Sequence, residues 1–318
     1  MRGAAGETSP RLGLSRLGND LRRNRYLYLM LLPVVSYYII FCYLPMYGAF
    51  MAFQDYNLAK GVLGSPFADQ NGLANFIKFF RSPYFSRVTF NTVWLNTLSL
   101  FFGFPAPIIF ALLLNEVRSK AFKRTVQTIS YLPFFISIVV VAGIIFDFTR
   151  QDGVITYFAH RYLGAPQNVN LLARASLYRP IYIVSDIWQG MGFNSIIYIS
   201  AISGINPELY EAAYMDGAGR WGKLLHITIP GLAPTIIIMF ILQVGNLMGT
   251  NLEKVLLLYS PAVYDVADVI SSYVYRQGIV QAQFSYSSAV GLFNSAINFV
   301  ILLAANTASR RLSETSLF

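Results

Sequence analysis

Apolar positions in this chain fall in long unbroken runs, without the period of 3.6 or of 2 that marks one buried face of a helix or strand in water. Six runs stand out, at about 27 to 53, 91 to 114, 128 to 148, 180 to 202, 228 to 249 and 289 to 308. A helix needs roughly 20 consecutive apolar residues to cross a hydrocarbon core about 30 Å thick, and each run reaches that length. The pattern predicts an all-α membrane protein of about six transmembrane helices, in one transmembrane domain from 27 to 308. The fourth run is the least apolar. Prolines recur in or at the ends of the runs, at Pro33, Pro45, Pro105, Pro107, Pro133, Pro180, Pro230 and Pro234. Kinks are therefore expected, with the freed carbonyls satisfied by neighbouring helices.

Composition agrees: 55% of the 318 residues are hydrophobic and 12% charged, the wrong balance for soluble domains. The first run follows an Arg-rich segment, is too long for a signal-peptide core and has no small-residue cleavage site. It is read as retained, with the basic segment 1 to 26 in the cytoplasm. The cytoplasmic pieces are then 1 to 26, 115 to 127, 203 to 227 and the tail 309 to 318, and they hold 14 of the 24 Lys and Arg. That is the direction the positive-inside rule requires, most sharply in the short turn with Arg118, Lys120, Lys123 and Arg124. The net charge of +9 is in this way largely topological and calls for no nucleic-acid partner. Arg11, Arg16, Arg22, Arg23 and Arg25 lie where anionic headgroups of the lipid bilayer would meet them. Leu12, Leu14, Leu17 and Leu21 among them predict a short amphipathic surface helix. Cys42, the one cysteine, lies inside the first run and excludes an intrachain disulfide.

The loop from 206 to 234 is the most informative segment. Asn206 suits an N-cap, Pro207 the first turn, and Glu208 and Glu211 the positive end of a helix dipole. Gly217 and Gly219 are suited to end that helix, and Arg220, Lys223 and His226 follow on a second helix that enters the bilayer at Pro230. An exposed acidic helix joined to a basic one has the form of a protein-docking element. Gly217, Gly219 and Gly222 also spell a dinucleotide fingerprint, and Gly217 to Lys223 most of a phosphate loop. Both need a preceding buried strand, and Leu224 stands where the phosphate loop needs Ser or Thr. With only His160, His226 and one cysteine, no catalytic or metal-binding constellation is present, and no metal site is expected.

Within this loop Glu211, Ala212 and Ala213, then Gly217, then Ile227, Ile229 and Pro230 reproduce a spaced pattern: E-A-A, three residues, G, nine residues, I-x-L-P. The one departure is Ile229 for leucine. The chain here resembles the permease subunits of binding-protein-dependent ABC importers. Beyond the loop, the basic head leading into YLMLLP, the PMYG at Pro45, NTVWLNT from Asn91 and FSYSSAVGLFNS near the end look like permeases for oligosaccharide and polysaccharide uptake, with alginate as the suggested cargo. The resemblance implies a type I importer permease fold, residence in the bacterial inner membrane with both termini cytoplasmic, and a carbohydrate substrate. It implies a second homologous permease subunit, two ATPase subunits and an extracytoplasmic solute-binding protein as partners. ATP and magnesium would then belong to the ATPase subunits, and this chain would hold no cofactor and catalyse nothing. Glu211, Ala212, Ala213, Asp216, Gly217, Ile227 and Pro230 would form the ATPase-coupling loop.

For the substrate path, Asp186 is the clearest ionisable group within a run, followed by Trp188, Gln189 and Asn194. On the fifth run Gln243 and Asn246 reach a similar outer depth, with Thr250, Asn251 and Glu253 just beyond. Amides, a carboxylate and an aromatic face suit a sugar, and interhelical hydrogen bonding accounts for each residue equally well. Asp186 would repel a uronate chain unless a base such as Arg179 pairs with it. Ser287, Gly291 and Ser295, with Asn294 and Asn298 nearby, predict close helix packing on the last run. A secondary transporter or channel for a small polar solute is the alternative. It would call for inverted repeats or several ionisable groups at mid-membrane, and neither is found.

Overall fold

The computed structural model describes residues 23 to 164 and 169 to 312, and these are almost entirely helical. The predicted surface helix carrying Leu12, Leu14, Leu17 and Leu21, together with Arg11, Arg16 and Arg22, lies outside the described residues, as does the end of the tail. Among the described residues, four continuous helices are long and apolar enough to span a membrane: α1 (Arg25–Phe53), α2 (Tyr84–Glu116), α5 (Arg220–Gly245) and α7 (Phe284–Leu312). The least apolar run lies inside α4 (Ala175–Ser203), whose 29 residues extend about 43 Å at the α-helical rise. A further helix, α6 (Leu252–Leu258), belongs to the segment between α5 and α7.

The third run departs from expectation. Instead of one straight span, Lys120–Phe135 and Ile138–Tyr162 meet at a 100° bend, and we call the first straight helix beyond it α3 (Ile138–Thr149). Two local features make the corner. Pro133 opens a 3-10 turn over Leu132–Phe135. The Ser137 hydroxyl then caps α3 by accepting from the Val140 N–H at 3.4 Å.

Three other prolines are absorbed without breaking their helices. A π-helical turn precedes each one: Tyr38–Tyr43 before Pro45, Ser99–Gly103 before Pro105, and Leu224–Thr228 before Pro230. A proline ring clashes with the carbonyl one turn back and supplies no N–H, and widening that turn relieves the clash while keeping the chain helical.

Helix α4 is the central strut. It packs along α2, rests on the 120 to 135 arm and on α5, and meets the segment between α5 and α7. Its closest approach is at Gly192, where a Cβ would lie on the Ser130 backbone carbonyl. One core cluster joins Leu95, Val141, Ile145, Tyr178, Tyr182, Val255 and Val263, and a second joins Phe79, Val88, Tyr273, Tyr286 and Val290. Both draw on the long connections at one end of the bundle, which are packed structure and not open loops. At the opposite end, Ala111, Tyr198, Ile202 and Leu232 form a third cluster.

The polar residues of the NTVWLNT segment pin this packing. Asn91 donates to the carbonyls of Asp265 and Asp268 at 3.0 Å each, and Thr92 accepts from the Ile270 N–H at 2.8 Å. On α7, Asn298 accepts from the Met248 N–H and Asn294 donates to the Met248 carbonyl, which gives both asparagines a packing role. Gly291 has open space around it, whereas Ser287 faces Gly278 closely, so the small-residue stripe is used within this chain at Ser287 and not at Gly291. From Arg25 to Met46, α1 buries no residue, Cys42 included, and its apolar side chains are free to meet lipid or another chain.

Replacing Gly192 with Val forces a side chain into the Ser130 backbone, with no flexible neighbour to yield. A loss of about 1–3 kcal/mol is expected, read as a lowered thermal midpoint of the detergent-solubilised protein.

Candidate functional site: an inter-helix cavity and an exposed helical loop

A cavity of about 710 Å³ opens between α2, the 132 to 138 corner, α4 and α5. Of the residues singled out in the sequence, Asp186, Gln189 and Asn194 on α4, Gln243 on α5 and Asn251 line it. Trp188 does not: it is 46% exposed, and lies about 200° around α4 from Asp186 at 100° per residue. Asn246 ends α5 and Glu253 sits exposed in the first turn of α6; neither lines the cavity. Apolar and aromatic walls come from residues such as Phe104, Met191 and Met239, and from Phe134 stacked on Phe193 with ring centroids 3.9 Å apart.

Two of the polar lining groups also hold the walls in place. The Gln189 amide donates to the Ile136 carbonyl at 3.3 Å, satisfying a backbone oxygen left free at the corner. Asn251 caps α6 by accepting from the Lys254 N–H at 3.1 Å.

Arg179 is not the partner of Asp186. It lies about two turns from Asp186 along α4 and donates to Asn91 Oδ1 at 2.7 Å. The base is Lys254, reached from α6: its Nζ contacts Asp186 Oδ1 at 2.5 Å, donates to the Tyr182 carbonyl at 3.0 Å, and lies 4.3 Å from the Tyr182 ring centroid. The Lys254 side chain is fully buried, whereas that of Asp186 is 42% exposed, towards the cavity. Burial pushes the Lys254 ammonium's pKa down, and the Asp186 carboxylate pulls part of that shift back. Lys254 carries no sequence signal: it is a lone lysine in an outer segment, and its partner is 68 residues away.

The second candidate lies at the far end of the bundle. Helix Pro207–Met215 is capped by Asn206, whose side chain accepts from the Glu208 N–H at 3.0 Å. It ends in paired bonds from Gly217 N–H to the Tyr214 carbonyl and from Ala218 N–H to the Ala213 carbonyl, with Gly217 at φ +76°. This is a Schellman termination, and its left-handed position is the reason for glycine there. Tyr210 and Thr228 share a hydrogen bond of 3.0 Å, and Lys223 lies over the Tyr214 ring, so the short helix is tied to the start of α5. Glu211, Ala212, Asp216 and Gly217 are exposed, Ala213 and Ile227 half-buried, and Pro230 continues the chain into α5. No ion pair holds Glu211 or Asp216 among the described residues. Leu209, Tyr214, Met215 and Trp221 add an apolar exposed surface that the spacing of the motif did not reveal. Gly217 and Gly219 lie between two helices and Gly222 in the first turn of α5, with no strand before them, which removes the context that a nucleotide loop requires. No cluster of metal-ligating side chains exists among the described residues.

Removing one member of the Asp186–Lys254 pair should have unequal effects. Asp186→Asn strands a buried ammonium and is expected to cost ~3 kcal/mol, whereas Lys254→Met leaves a carboxylate that the cavity can hydrate and costs less. The double variant should recover most of the loss, as measured by thermal unfolding in one detergent.

Comparison with known proteins gives one consistent family. The family model "Binding-protein-dependent transport system inner membrane component" matches residues 103–314. The polygalacturonan/rhamnogalacturonan transport system permease protein YteP of Bacillus subtilis is 40% identical over 303 residues, covering 95% of this chain and 93% of its own. Protein LplB of the same organism is 40% identical over 299 residues, covering 94% and 92%. A chain of the crystal structure of a bacterial alginate ABC transporter, in complex with an alginate pentasaccharide-bound periplasmic protein, is similar at a TM-score of 0.85 and 42% identity, over 95% of this chain and 100% of that one.

Proposed function

The chain belongs to the binding-protein-dependent transport system inner membrane component family, and we propose from that premise that it forms one side of the path by which an acidic oligo- or polysaccharide is imported at the expense of ATP. Relatives named for polygalacturonan/rhamnogalacturonan and for alginate support a polyuronate, whose sugar rings each bear a carboxylate. The observation that carries the reading is the buried ammonium of Lys254 on Asp186. It cancels the charge that would otherwise repel a uronate from this cavity, and leaves amides at Gln189, Asn194 and Gln243 for hydroxyls and the Phe134–Phe193 stack for ring faces.

Energy enters at the other end. The exposed helix Pro207–Met215 acts as the coupling element: small residues at Ala212 and Ala213 allow close approach to an ATPase subunit, and Glu211 and Asp216 offer unpaired carboxylates to its basic groups. Because Tyr210 bonds Thr228, a displacement of this helix is transmitted to α5 and through it to the Gln243 wall of the cavity. ATP and magnesium are held by two ATPase subunits, and this chain contributes no catalytic residue. A second homologous permease completes the path, and an extracytoplasmic solute-binding protein delivers the sugar. The chain crosses the inner membrane six times, the bent helix and α4 included, with both termini in the cytoplasm.

The test is purification from the native host in mild detergent, with mass spectrometry of the co-purifying proteins, for the wild type and for a Glu211→Lys, Gly217→Val variant. Valine at a φ of +76° is strained by about 1–3 kcal/mol and disturbs the helix termination. The wild type should bring down an ATPase and a second permease, and the variant should keep the permease and lose the ATPase. A stable homo-oligomer without any ATPase would instead indicate a secondary transporter or channel.

A further inference from the structure

A second, smaller cleft of about 320 Å³ lies at the end of the bundle opposite the coupling helix, at the start of α2. Two arginines line it, Arg87 on α2 and Arg276 from the segment that precedes α7. Both reach the same carboxylate, that of the fully buried Asp268, at 3.3 Å from Arg87 and 2.7 Å from Arg276. The Ser272 hydroxyl donates to its other oxygen at 2.9 Å. One buried carboxylate between two guanidiniums leaves one positive charge over. In this structure Asp265 meets it, 3.3 Å from Arg87, with a side chain 88% exposed.

The remaining walls are aromatic and amide. Arg87 lies over the Tyr84 ring at 5.1 Å, and Arg276 lies 5.5 and 5.6 Å from the rings of Tyr264 and Tyr273. Gln277 and Gln281 complete the rim. The volume is at the lower end for small-ligand clefts. Arg87 spends only two of its donors on carboxylates, and its buried Nε has no acceptor among the described residues.

We propose that this cleft is a second sugar-binding site, separate from the cavity, that takes one uronate unit of an acidic glycan at the outer entrance. It rests on the polyuronate reading above. The glycan carboxylate takes the place of Asp265 on Arg87, where the planar guanidinium can hold it through two parallel bonds. The sugar ring lies against the tyrosine faces, and the glutamine amides meet its hydroxyls. Asp265 is the replaceable partner because an exposed ion pair contributes little, whereas Asp268 is buried and holds the arginines in position. The combination of two arginines, tyrosine faces and amides fits a charged sugar better than an acidic protein side chain, which has no ring face to stack.

The test uses the assembled transporter in nanodiscs without its solute-binding protein, titrated calorimetrically with trigalacturonate and with its fully methyl-esterified, uncharged counterpart. Arg87→Gln leaves the Arg276–Asp268 pair in place and should weaken trigalacturonate binding about tenfold, with no change for the ester. Asp265→Asn alters only an exposed pair and should tighten trigalacturonate binding about threefold, again without effect on the ester. Unchanged trigalacturonate binding in both variants overturns the site. Weakened capture of the solute-binding protein by Arg87→Gln, with trigalacturonate binding intact, makes the cleft a protein-docking surface and also overturns it. Uptake of trigalacturonate by the complete wild-type transporter, measured in parallel, separates the two claims: uptake without binding at the cleft removes this site alone, and no uptake removes the polyuronate reading with it.

Discussion

A single buried ammonium holds the upper half of this molecule in register. Lys254 is drawn out of water into contact with one carbonyl, one carboxylate and one aromatic face, all supplied by two turns of α4. A desolvated cation is tolerated only where such partners already stand in place, so the position of the 250 to 288 segment is tied to the rotation and depth of α4. Val255, Leu258 and Val263 then pack against Tyr178 and Tyr182, and the outer segment becomes part of the core. The cavity wall inherits this order, because Asn251, which caps the short helix carrying Lys254, is also one of its lining residues.

The two ends of the bundle differ in how firmly they are fastened. At one end the short helix Pro207–Met215 is exposed along most of its length, held by one hydroxyl pair and one cation over a ring. At the other end Asn91, Thr92 and Asp268 lock long connections onto α2 through buried hydrogen bonds and ion pairs. In the function proposed above, a loosely fastened helix suits a surface that must follow a moving ATPase, while a firmly built entrance suits one that receives a large, stiff chain of sugars.

How much of this could be read from the residues alone follows from the range of each interaction. The long apolar runs were legible because the bilayer sets their length, and the helix Pro207–Met215 because caps are local: Asn206 and Gly217 act within a few residues of themselves. The Lys254–Asp186 and Asp268–Arg276–Arg87 groups were not, since their members are distant along the chain or sit in segments with no periodic signal. Arg179 looked like the natural partner for Asp186 and is taken instead by Asn91. Trp188 was grouped with Gln189 by adjacency, whereas helical phase puts it on another face. The corner at Pro133 announced itself as a proline, but the 100° turn depends also on Ser137, a cap-forming residue set before the four β-branched residues Ile138 to Val141.

The π-helical turns ahead of the prolines have a consequence for how this sequence can vary in length. Each such turn holds about one residue more than an α-helical turn while completing the same rotation, so loss of one residue there can be absorbed by ordinary α-helix with little rotation of what lies beyond it. In α5 the turn Leu224–Thr228 lies between the helix Pro207–Met215 and Gln243. The angular phase between the two ends of that helix is accordingly buffered at this turn, whereas loss of one residue from the α-helical part of α5 would turn its two ends by about 100° relative to each other.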